Sequence, residues 1–434
     1  MLLSGYSEGV RLLICTPTAT LQGGVERIIE SLATHLPARG IEVVFALAQG
    51  ARFHDAQKFL AAFPSMRGVA VDGRSGTAYG RRVALRRVVE RVDPDVVLMA
   101  RMYETYPVCS ELKLRGHRLR LATTVQAYEP DYFVDLARYA DFVDAVVTSG
   151  QLIASAVKRF TSIPHERVRS IPGGVAPPRR TRESHAGPLR IGYVGRVEQL
   201  QKRALDWIPF IEELERRGID FTCDIAGDGT ALAELRERLP RARFYGWLST
   251  DALYERIYPE LDVLVHFAAW EGMTIAPREA MVHGVVPVVS RFVGAEDFVD
   301  GETALTFEVG DIRGAADAIE RLDRDRTLLE RLSRAARSSQ SGIRSEQGAI
   351  DAWADVFRDA LHREQRVGAT LPPVPRDSGT LSRWHVPDAV AEIFRAFRKR
   401  EHASAGAEWA HWSGIANEDL AREVMAYGAP TTGR

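Results

Sequence analysis

The feature of this sequence that most constrains its fold is the alternation of short, wholly apolar runs with longer amphipathic stretches. Residues 12–15 and 43–47 flank a helix-like pattern at 25–36, and similar runs follow at 96–99 and 121–125. Because these runs are apolar at every position, they are typical of strands that are buried on both faces of a parallel sheet. The pattern predicts an α/β protein that is built from β-α-β units.

A change in composition divides the chain into two such regions. Residues 172–188 hold four prolines and three glycines, which is typical of a solvated hinge. A second series of strand-like runs begins at 189–194 and continues to 285–289. Since 434 residues exceed what one hydrophobic core normally organises, we expect two doubly wound, Rossmann-like domains. Ligands should bind in a cleft between them, at the carboxyl ends of the strands.

Charge and cysteine content exclude several classes of protein. Lys and Arg number 57 against 58 Asp and Glu, a net charge of −1, which argues against a dedicated nucleic-acid binder. The three cysteines are far apart and show neither a disulfide pattern nor zinc-ligand spacing. No apolar run approaches the roughly 20 residues that span a bilayer, and Glu8 and Arg11 interrupt the region where a signal peptide would be apolar. We therefore expect a cytoplasmic protein.

Two carboxylates that are eight positions apart form the most informative motif. Pro277 suits the first turn of a helix, so Glu271 should lie in the loop after the strand-like run that ends at His266, and Glu279 should lie just inside the helix. Backbone N–H groups between the two carboxylates would favour an anion. Taken alone, a surface glutamate and a helix-start glutamate explain the motif equally well. The residues that follow Glu271 are Gly272, Met273, Thr274 and Ile275.

This segment resembles the E-x7-E signature of the retaining glycosyltransferases of family 4, and the agreement extends from about residue 11 to about residue 365. Further matching motifs occur in the family's order. They are the glycine loop with Gly23 and Gly24 after the first strand, Gly195-Arg196 followed by Lys202, Gly227 in a turn after a central strand, and Tyr245-Gly246-Trp247.

The resemblance implies a GT-B fold and a role for each motif. Arg196 and Lys202 would stabilise the departing diphosphate, since fixed cations suit the negative charge that develops there. Glu271 would contact hydroxyls of the transferred sugar, and Glu279 would accept hydrogen bonds from the ribose. The other donor-binding residues would be Gly272, Met273, Thr274, Ile275, Gly24, Gly227 and Trp247. Because Arg196, Lys202 and helix dipoles can replace a divalent cation, we expect neither metal nor cofactor.

The resemblance also suggests an organisation of the chain. Residues 1–172 would form the acceptor-side Rossmann-like domain, 173–188 the hinge linker, 189–344 the donor-binding Rossmann-like domain, 345–365 a helix that crosses back to the first domain, and 366–434 a helical C-terminal extension.

The predicted acceptor side departs from the common family pattern. Gln126 occupies a position where many members carry His, and an amide cannot act as a base near pH 7. The run from Gln126 to Pro130 resembles a bacterial subset that acts on deoxysugars such as rhamnose, which would imply a dTDP-linked donor. We interpret Gly23, Gln126, Tyr128 and Glu129 as acceptor-side residues. For Tyr128 and Glu129, a packed aromatic in a helix-capping loop is an equally good interpretation. His266 could belong to the site or to the core.

The extension after residue 366 lies outside the resemblance. Residues 386–403 predict an amphipathic helix with several basic residues near an apolar side that consists of Val386, Ile393, Phe394 and Phe397. Such a helix could rest on anionic lipid, but we favour packing of its apolar face on the first domain.

The sequence thus predicts a retaining, hexosyltransferase-type enzyme that moves a sugar from a nucleotide-diphosphate sugar to a hydroxyl of a glycan, a lipid-linked acceptor or a small molecule, in bacterial polysaccharide or glycolipid synthesis. Its partners would be the nucleotide sugar, the acceptor and, peripherally, the inner face of the membrane, and not nucleic acid. The alternatives are a sugar-nucleotide epimerase, a GT-B phosphorylase, and a non-catalytic protein that binds sugar nucleotides.

Overall fold

The computed structural model describes residues 9–19, 24–50, 52–73, 77–272, 274–374, 384, 386–398, 409 and 412–428. In the helix that ends at residue 398, it describes the side chains only as far as residue 394. Within these ranges the chain forms two compact units. Unit 1 comprises residues 9–148, 153–170 and 350–427, and unit 2 comprises residues 149–152, 171–349 and Gly428.

Unit 1 is built on a seven-stranded parallel sheet with the order β3-β2-β1-β4-β5-β6-β7. Its strands are β1 (Val10–Thr16), β2 (Ile41–Gln49), β3 (Gly68–Asp72), β4 (Val96–Met99), β5 (Arg120–Val125), β6 (Ala145–Thr148) and β7 (Val168–Ser170). The helices between the strands are α1 (Gly24–His35), α2 (Ala56–Ala62), α3 (Ala78–Val92), α4 (Thr105–Leu114), α5 (Pro130–Arg138) and α6 (Gln151–Phe160).

Unit 2 is built on a six-stranded parallel sheet with the order β10-β9-β8-β11-β12-β13. Its strands are β8 (Leu189–Val194), β9 (Phe221–Ala226), β10 (Arg243–Gly246), β11 (Val263–His266), β12 (Val286–Ser290) and β13 (Leu305–Phe307). Its helices are α7 (Trp207–Arg216), α8 (Leu232–Arg238), α9 (Thr250–Arg256), α10 (Ile275–Val282), α11 (Ile312–Arg324) and α12 (Arg326–Ser339).

Both sheets confirm the predicted α/β class of two doubly wound domains. The apolar runs became strands because both faces of each central strand are covered: every residue of β4, β11 and β12 is buried. In unit 1 the strand order reverses between β1 and β4, and in unit 2 it reverses between β8 and β11. Loops that leave the carboxyl ends of these pairs diverge to opposite faces of the sheet and leave a crevice for a ligand.

An aromatic cluster anchors the central strands of unit 2. Trp207 and Phe210 of α7 pack edge to face at 5.5 Å between ring centroids, and Phe267, just after β11, lies 5.9 Å from Trp207 and 5.3 Å from Phe210. All three side chains are fully buried. Packing of this kind fixes the position at which β11 ends, and therefore where the next loop begins.

The chain passes from unit 2 to unit 1 within helix α13 (Glu346–His362), at Ile350. Two more helices, α14 (Asp388–Arg398) and α15 (Glu418–Gly428), follow in the extension. None of the helices in the described ranges is both long and apolar enough to cross a membrane.

The extension packs against the rest of unit 1 through specific contacts. Trp409 is 1% exposed and its indole Nε1 donates to the Gln49 carbonyl at 3.1 Å. A Cβ on Gly73 would approach the Trp409 ring to 2.7 Å, so only glycine leaves room for the ring there. Farther along, the Ser413 amide donates to the Asp135 carboxylate at 2.7 Å.

The prediction that α14 packs through its apolar face is wrong. Over the described side chains of α14, Ala391 is buried and Glu392 accepts a hydrogen bond from the Thr77 hydroxyl at 2.7 Å, while Ile393 and Phe394 are each 58% exposed. The side chain of Phe397 lies outside the described residues. The physical reason is size, because alanine lets the backbone of α14 approach α3 closely and the bulkier apolar side chains remain outside that contact.

Replacement of Trp409 should therefore destabilise the protein. For Trp409→Ala we expect a loss of about 3–5 kcal/mol in the free energy of unfolding of unit 1, since a large buried aromatic leaves a cavity. Urea unfolding followed by circular dichroism measures the change. Trp384→Ala is the matched control, because Trp384 is 71% exposed, and its midpoint should stay near the wild-type value. Equal midpoints for the two variants would contradict the packing described here.

Candidate active site

The carboxyl ends of β8 and β11 bring three of the predicted site residues together in unit 2. Arg196 and Lys202 lie in the loop after β8, and Glu271 lies in the segment after β11. These are the two strands at which the order of the sheet reverses. We call Glu271, Lys202, Gln201, Arg196 and His266 the Glu271 cluster.

The loop after β8 is held by close backbone contacts. A Cβ on Gly227, at the carboxyl end of β9, would lie 1.8 Å from the Gly195 carbonyl oxygen, so the two loops touch only because residue 227 is glycine, with φ of 149°. The Tyr193 hydroxyl donates to the Arg196 carbonyl at 2.6 Å. The Glu198 carboxylate accepts from the amide of Lys202 at 3.1 Å. These bonds fold the loop so that Lys202 faces Glu271.

Glu271 is the centre of the cluster. Its Oε1 accepts a hydrogen bond from the Lys202 ammonium and lies 3.0 Å from Nε2 of His266. Its Oε2 lies 3.4 Å from Nε2 of Gln201. The Glu271 amide donates to the Val293 carbonyl at 3.3 Å, which ties the loop to the segment after β12. A buried carboxylate with this many donors is rigidly placed.

The protonation states in the cluster follow from these contacts. Burial raises the pKa of Glu271, but the charge of Lys202 and the hydrogen bond from His266 outweigh burial and lower that pKa to about 2. Burial lowers the pKa of His266, more than Glu271 raises it, so the imidazole is neutral at pH 7. Since an ionised carboxylate only accepts, the proton of the neutral ring must be on Nε2.

Arg196 joins the cluster through Gln201. Its guanidinium Nη2 donates to the Gln201 side-chain oxygen at 2.6 Å, and the amide nitrogen of Gln201 donates in turn to the Trp270 carbonyl at 3.0 Å. Arg196 is exposed. Gln201 therefore places an accessible guanidinium beside the partly buried Lys202 and the buried Glu271. The sequence motif did not indicate this role.

Glu279 lies deeper in unit 2, on α10. Its Oε2 accepts from the Tyr258 hydroxyl at 2.7 Å, and the Tyr258 ring stacks on His283 with centroids 5.3 Å apart. The side chain is almost fully buried. Tyr258 is a second residue that sequence reasoning missed.

The start of α10 carries the other predicted donor-side residues. Thr274 is at the N-cap position and its buried hydroxyl has no hydrogen-bond partner in the described part of the chain. Ile275 begins the helix, and the carbonyl of Gly272 accepts from the Ser149 hydroxyl at 2.7 Å. Met273 lies outside the described residues. The first amides of α10 are thus available to an anion near the Glu271 cluster.

Trp247 follows β10, the edge strand of unit 2, and its indole is more than half exposed. Two strand spacings separate β10 from β8, which is about 10 Å. An exposed indole at this end of the sheet offers a flat surface for a nucleotide base.

The predicted acceptor-side residues lie at the carboxyl edge of unit 1, in two different settings. Gln126 is buried and donates to the Thr124 hydroxyl. Tyr128 adopts the packed-aromatic arrangement: its hydroxyl donates to the Val424 carbonyl of α15 at 2.8 Å, and its ring lies 5.3 Å from Phe133. Gly24 begins α1, whereas Gly23 lies outside the described residues.

Sequence reasoning missed Arg101, whose charge acts on Glu129. We call Arg101, Glu26, Glu129 and Tyr132 the Arg101 cluster. Arg101 follows β4 with φ of 68°, and its Nη1 lies 3.8 Å from Oε1 of the buried Glu26 on α1. Burial raises the pKa of both Glu26 and Glu129, and attraction to Arg101 lowers both in part. Burial also raises the pKa of Tyr132, and a hydrogen bond with Arg101 opposes that rise. The position of Glu26 directly after the glycine loop was the available signal.

Metal-binding side chains are not grouped in the described ranges: no three residues among His, Cys, Asp and Glu come together as a candidate metal site there.

The low pKa of Glu271 predicts how its contribution to stability depends on pH. A glutamate in the unfolded chain has a pKa of about 4.3, so the ionised carboxylate stabilises the fold fully above about pH 5, and this stabilisation is lost as the pH falls towards about 2. We expect Glu271→Gln to lower the free energy of unfolding by on the order of 2 kcal/mol at pH 7, and the difference from wild type to shrink in acid. Urea unfolding of both proteins across a pH series measures it.

The control for this series is Glu255→Gln, because the Glu255–Arg179 pair is exposed. A difference between wild type and Glu271→Gln that stays constant from neutral to acid pH would show that Glu271 is not the buried anion described here.

Comparisons with known proteins connect this geometry to a family. The model described as Glycosyltransferase Family 4 matches residues 22–179, and the model described as Glycosyl transferases group 1 matches residues 188–325. Glycogen synthase from Mycobacterium tuberculosis (strain CDC 1551 / Oshkosh) is 29% identical over 204 residues, which is 45% of this chain and 49% of that protein. The chain therefore matches about half the length of this curated relative.

Solved structures show the same architecture. Sucrose-phosphate synthase from Thermosynechococcus elongatus superposes with a TM-score of 0.68 at 14% identity, over 81% of this chain and 98% of that chain. HepE from Anabaena, in complex with UDP and glucose, gives a TM-score of 0.64 at 16% identity, over 81% and 100% of the two chains. At these identities the likeness concerns the fold. Taken with the two family matches, one on each unit, it shows that this chain is a GT-B protein similar to the glycosyltransferases of family 4.

Proposed function

We propose that this protein is a retaining glycosyltransferase that transfers a sugar from a nucleotide-diphosphate sugar to a hydroxyl group, without a metal ion. The observation that carries the proposal is the Glu271 cluster: an exposed guanidinium, a partly buried ammonium and an ionised carboxylate at the point where the order of the unit 2 sheet reverses. The family match to residues 188–325 supports this proposal. The likeness to HepE, whose solved complex contains UDP and glucose, also supports it.

The cations of the cluster suit a diphosphate leaving group. Negative charge grows on the phosphate oxygens as the bond to the sugar breaks, and preorganised cations stabilise that charge. Arg196 can grip two oxygens with its planar guanidinium, whereas Lys202 acts as a point charge. The free amides at the start of α10 add partial positive charge. These groups supply what a divalent cation supplies elsewhere, which is why we propose a metal-independent reaction.

The Glu271 carboxylate suits recognition better than proton transfer. With its pKa lowered to about 2, it is too weak a base to deprotonate a hydroxyl and is not protonated at pH 7 to act as an acid. It can accept hydrogen bonds from sugar hydroxyls while it holds Lys202 in place. We therefore propose substitution on one face of the sugar. The bond from the anomeric carbon to the phosphate oxygen breaks, the acceptor oxygen bonds to that carbon, and the acceptor's proton goes to the departing diphosphate.

We propose that the Arg101 cluster in unit 1 helps to bind the acceptor. Its carboxylates, Glu26 and Glu129, can accept hydrogen bonds from sugar hydroxyls. Arg101 pairs with Glu26 and its charge also attracts Glu129. Gln126 can hydrogen-bond an acceptor but cannot deprotonate it, in agreement with proton transfer to the diphosphate. The acceptors we propose are glycans, lipid-linked glycans or small molecules of bacterial surface polysaccharide synthesis, at the cytoplasmic side of the membrane.

On the donor side we propose that Glu279 contacts the ribose and that Trp247 stacks on the base. A hexosyl or deoxyhexosyl donor, including a dTDP-linked sugar such as the rhamnose donor, fits the resemblance in the run from Gln126 to Pro130.

Loss of turnover in cluster variants tests the proposal. A thermal-shift screen of UDP-, dTDP- and GDP-sugars first identifies the donor, because a ligand that binds only the folded state raises its melting temperature. With that donor, we expect Lys202→Ala and Glu271→Ala to lower kcat for transfer or donor hydrolysis by about 100-fold or more. Glu271→Ala should still show a thermal shift. Arg241→Ala, a change of an exposed cation in unit 2, is the control and should keep wild-type turnover.

Three outcomes of this assay contradict the proposal. Release of an altered nucleotide sugar without an acceptor would identify an epimerase, and sugar release that requires inorganic phosphate would identify a phosphorylase. A thermal shift with no turnover under any condition would leave a non-catalytic binding protein.

Chelation tests the proposed independence from metal. We expect the wild-type rate to be unchanged in EDTA, because Arg196 and Lys202 carry the electrostatic role. The rate of UDP or dTDP release is the measurement, and NMR of the product should show the anomeric configuration of the donor. A rate that falls in EDTA and returns with magnesium or manganese would refute this part of the proposal.

A further inference from the structure

In the part of helix α14 whose side chains the structure describes, 388–394, one face contacts the rest of unit 1. Ala391 is buried on that face, and Glu392 accepts a hydrogen bond from Thr77, the N-cap residue of α3, at 2.7 Å. The helix packs against α3. Over residues 388–394, a small residue and one polar contact thus orient α14 on the rest of unit 1.

The opposite face of α14 exposes large apolar side chains. Val390, Ile393 and Phe394 are 42%, 58% and 58% exposed, and their spacing of three and four residues puts them on one stripe of the helix. Trp384, which precedes the helix, is 71% exposed. A stripe of this kind beside an exposed indole is unusual on a surface that meets only water, and it indicates an interaction site.

The sequence that contains this stripe is strongly positive. Residues 393–400, with the sequence IFRAFRKR, contain four cations and no anion, although the whole chain has a net charge of −1. Apolar residues flanked by arginine and lysine match the chemistry of an anionic bilayer surface, in which phosphates lie above acyl chains.

We propose that α14 docks unit 1 on a bilayer that contains anionic lipid. The stripe inserts at the boundary between headgroups and acyl chains, and the cations bind the lipid phosphates. A second copy of this chain fits less well, because a symmetric contact through this face would bring the two basic segments together. The stripe of one short helix is also small beside the roughly 1,200 Å² that stable protein interfaces bury.

Binding of the full-length protein to vesicles, with no donor present, tests the proposal. Sedimentation is compared between vesicles of phosphatidylcholine alone and vesicles of phosphatidylcholine mixed with phosphatidylglycerol. We expect binding to the mixed vesicles, weakened at high salt because screening reduces the electrostatic attraction. We expect Phe394→Asp to reduce the bound fraction at least about tenfold. Phe53→Asp is the matched control, since Phe53 in unit 1 is also 58% exposed, and it should bind like the wild type.

Several results would overturn the inference. They are a lack of binding to either vesicle, equal binding to both, or an unchanged bound fraction in Phe394→Asp. Light scattering that shows a wild-type dimer dissociated by Phe394→Asp would assign the face to a second copy. Circular dichroism and the melting temperature establish that both variants are folded. Because the assay contains no nucleotide sugar, its failure is separate from a failure of the proposed glycosyl transfer.

Discussion

The ion pair between Lys202 and Glu271 is the interaction on which the proposed chemistry depends. Removing both charges from water is costly, and the pair persists because His266 and Gln201 supply further hydrogen bonds to the same carboxylate. Such a pair contributes little net stability compared with apolar packing of the same volume. The pair instead fixes the positions of the Lys202 ammonium and the ionised Glu271 carboxylate before a ligand binds.

That position is set by the backbone of two parallel strands. Because β8 and β11 are neighbours in the sheet, the loops that leave their carboxyl ends begin side by side, and the absence of a side chain on Gly227 lets the loop after β9 press against the loop after β8. The aromatic packing of α7 against Phe267 fixes the end of β11. Buried strands therefore supply the precision, and the loops supply the chemistry.

Most of the fold could be predicted from the sequence, because apolar runs report burial on both faces of a strand and need only local information. The motif residues of unit 2 could be found because their spacing is short. Gln201 and Arg101 could not be predicted as site residues, because the contacts that give them a role are with residues far away in the sequence. Tyr128 shows the same limit: its hydroxyl is engaged by Val424, 296 positions later. On α14 the pattern correctly indicated an amphipathic helix, but the contact with α3 selected the small residue rather than the apolar stripe.

The discontinuity of unit 1 has a consequence for synthesis. Its sheet is complete by Ser170, yet the same unit takes in residues 350–427, including Trp409 against Gly73 and Val424 against Tyr128. Unit 2 is nearly continuous, since all of its described residues except 149–152 and Gly428 lie within 171–349. On the ribosome, where domains fold as their residues emerge, the unit encoded second can reach its final packing while the first still awaits its last helices. Of the two sheets, the one that is translated first is therefore the last to complete its packing.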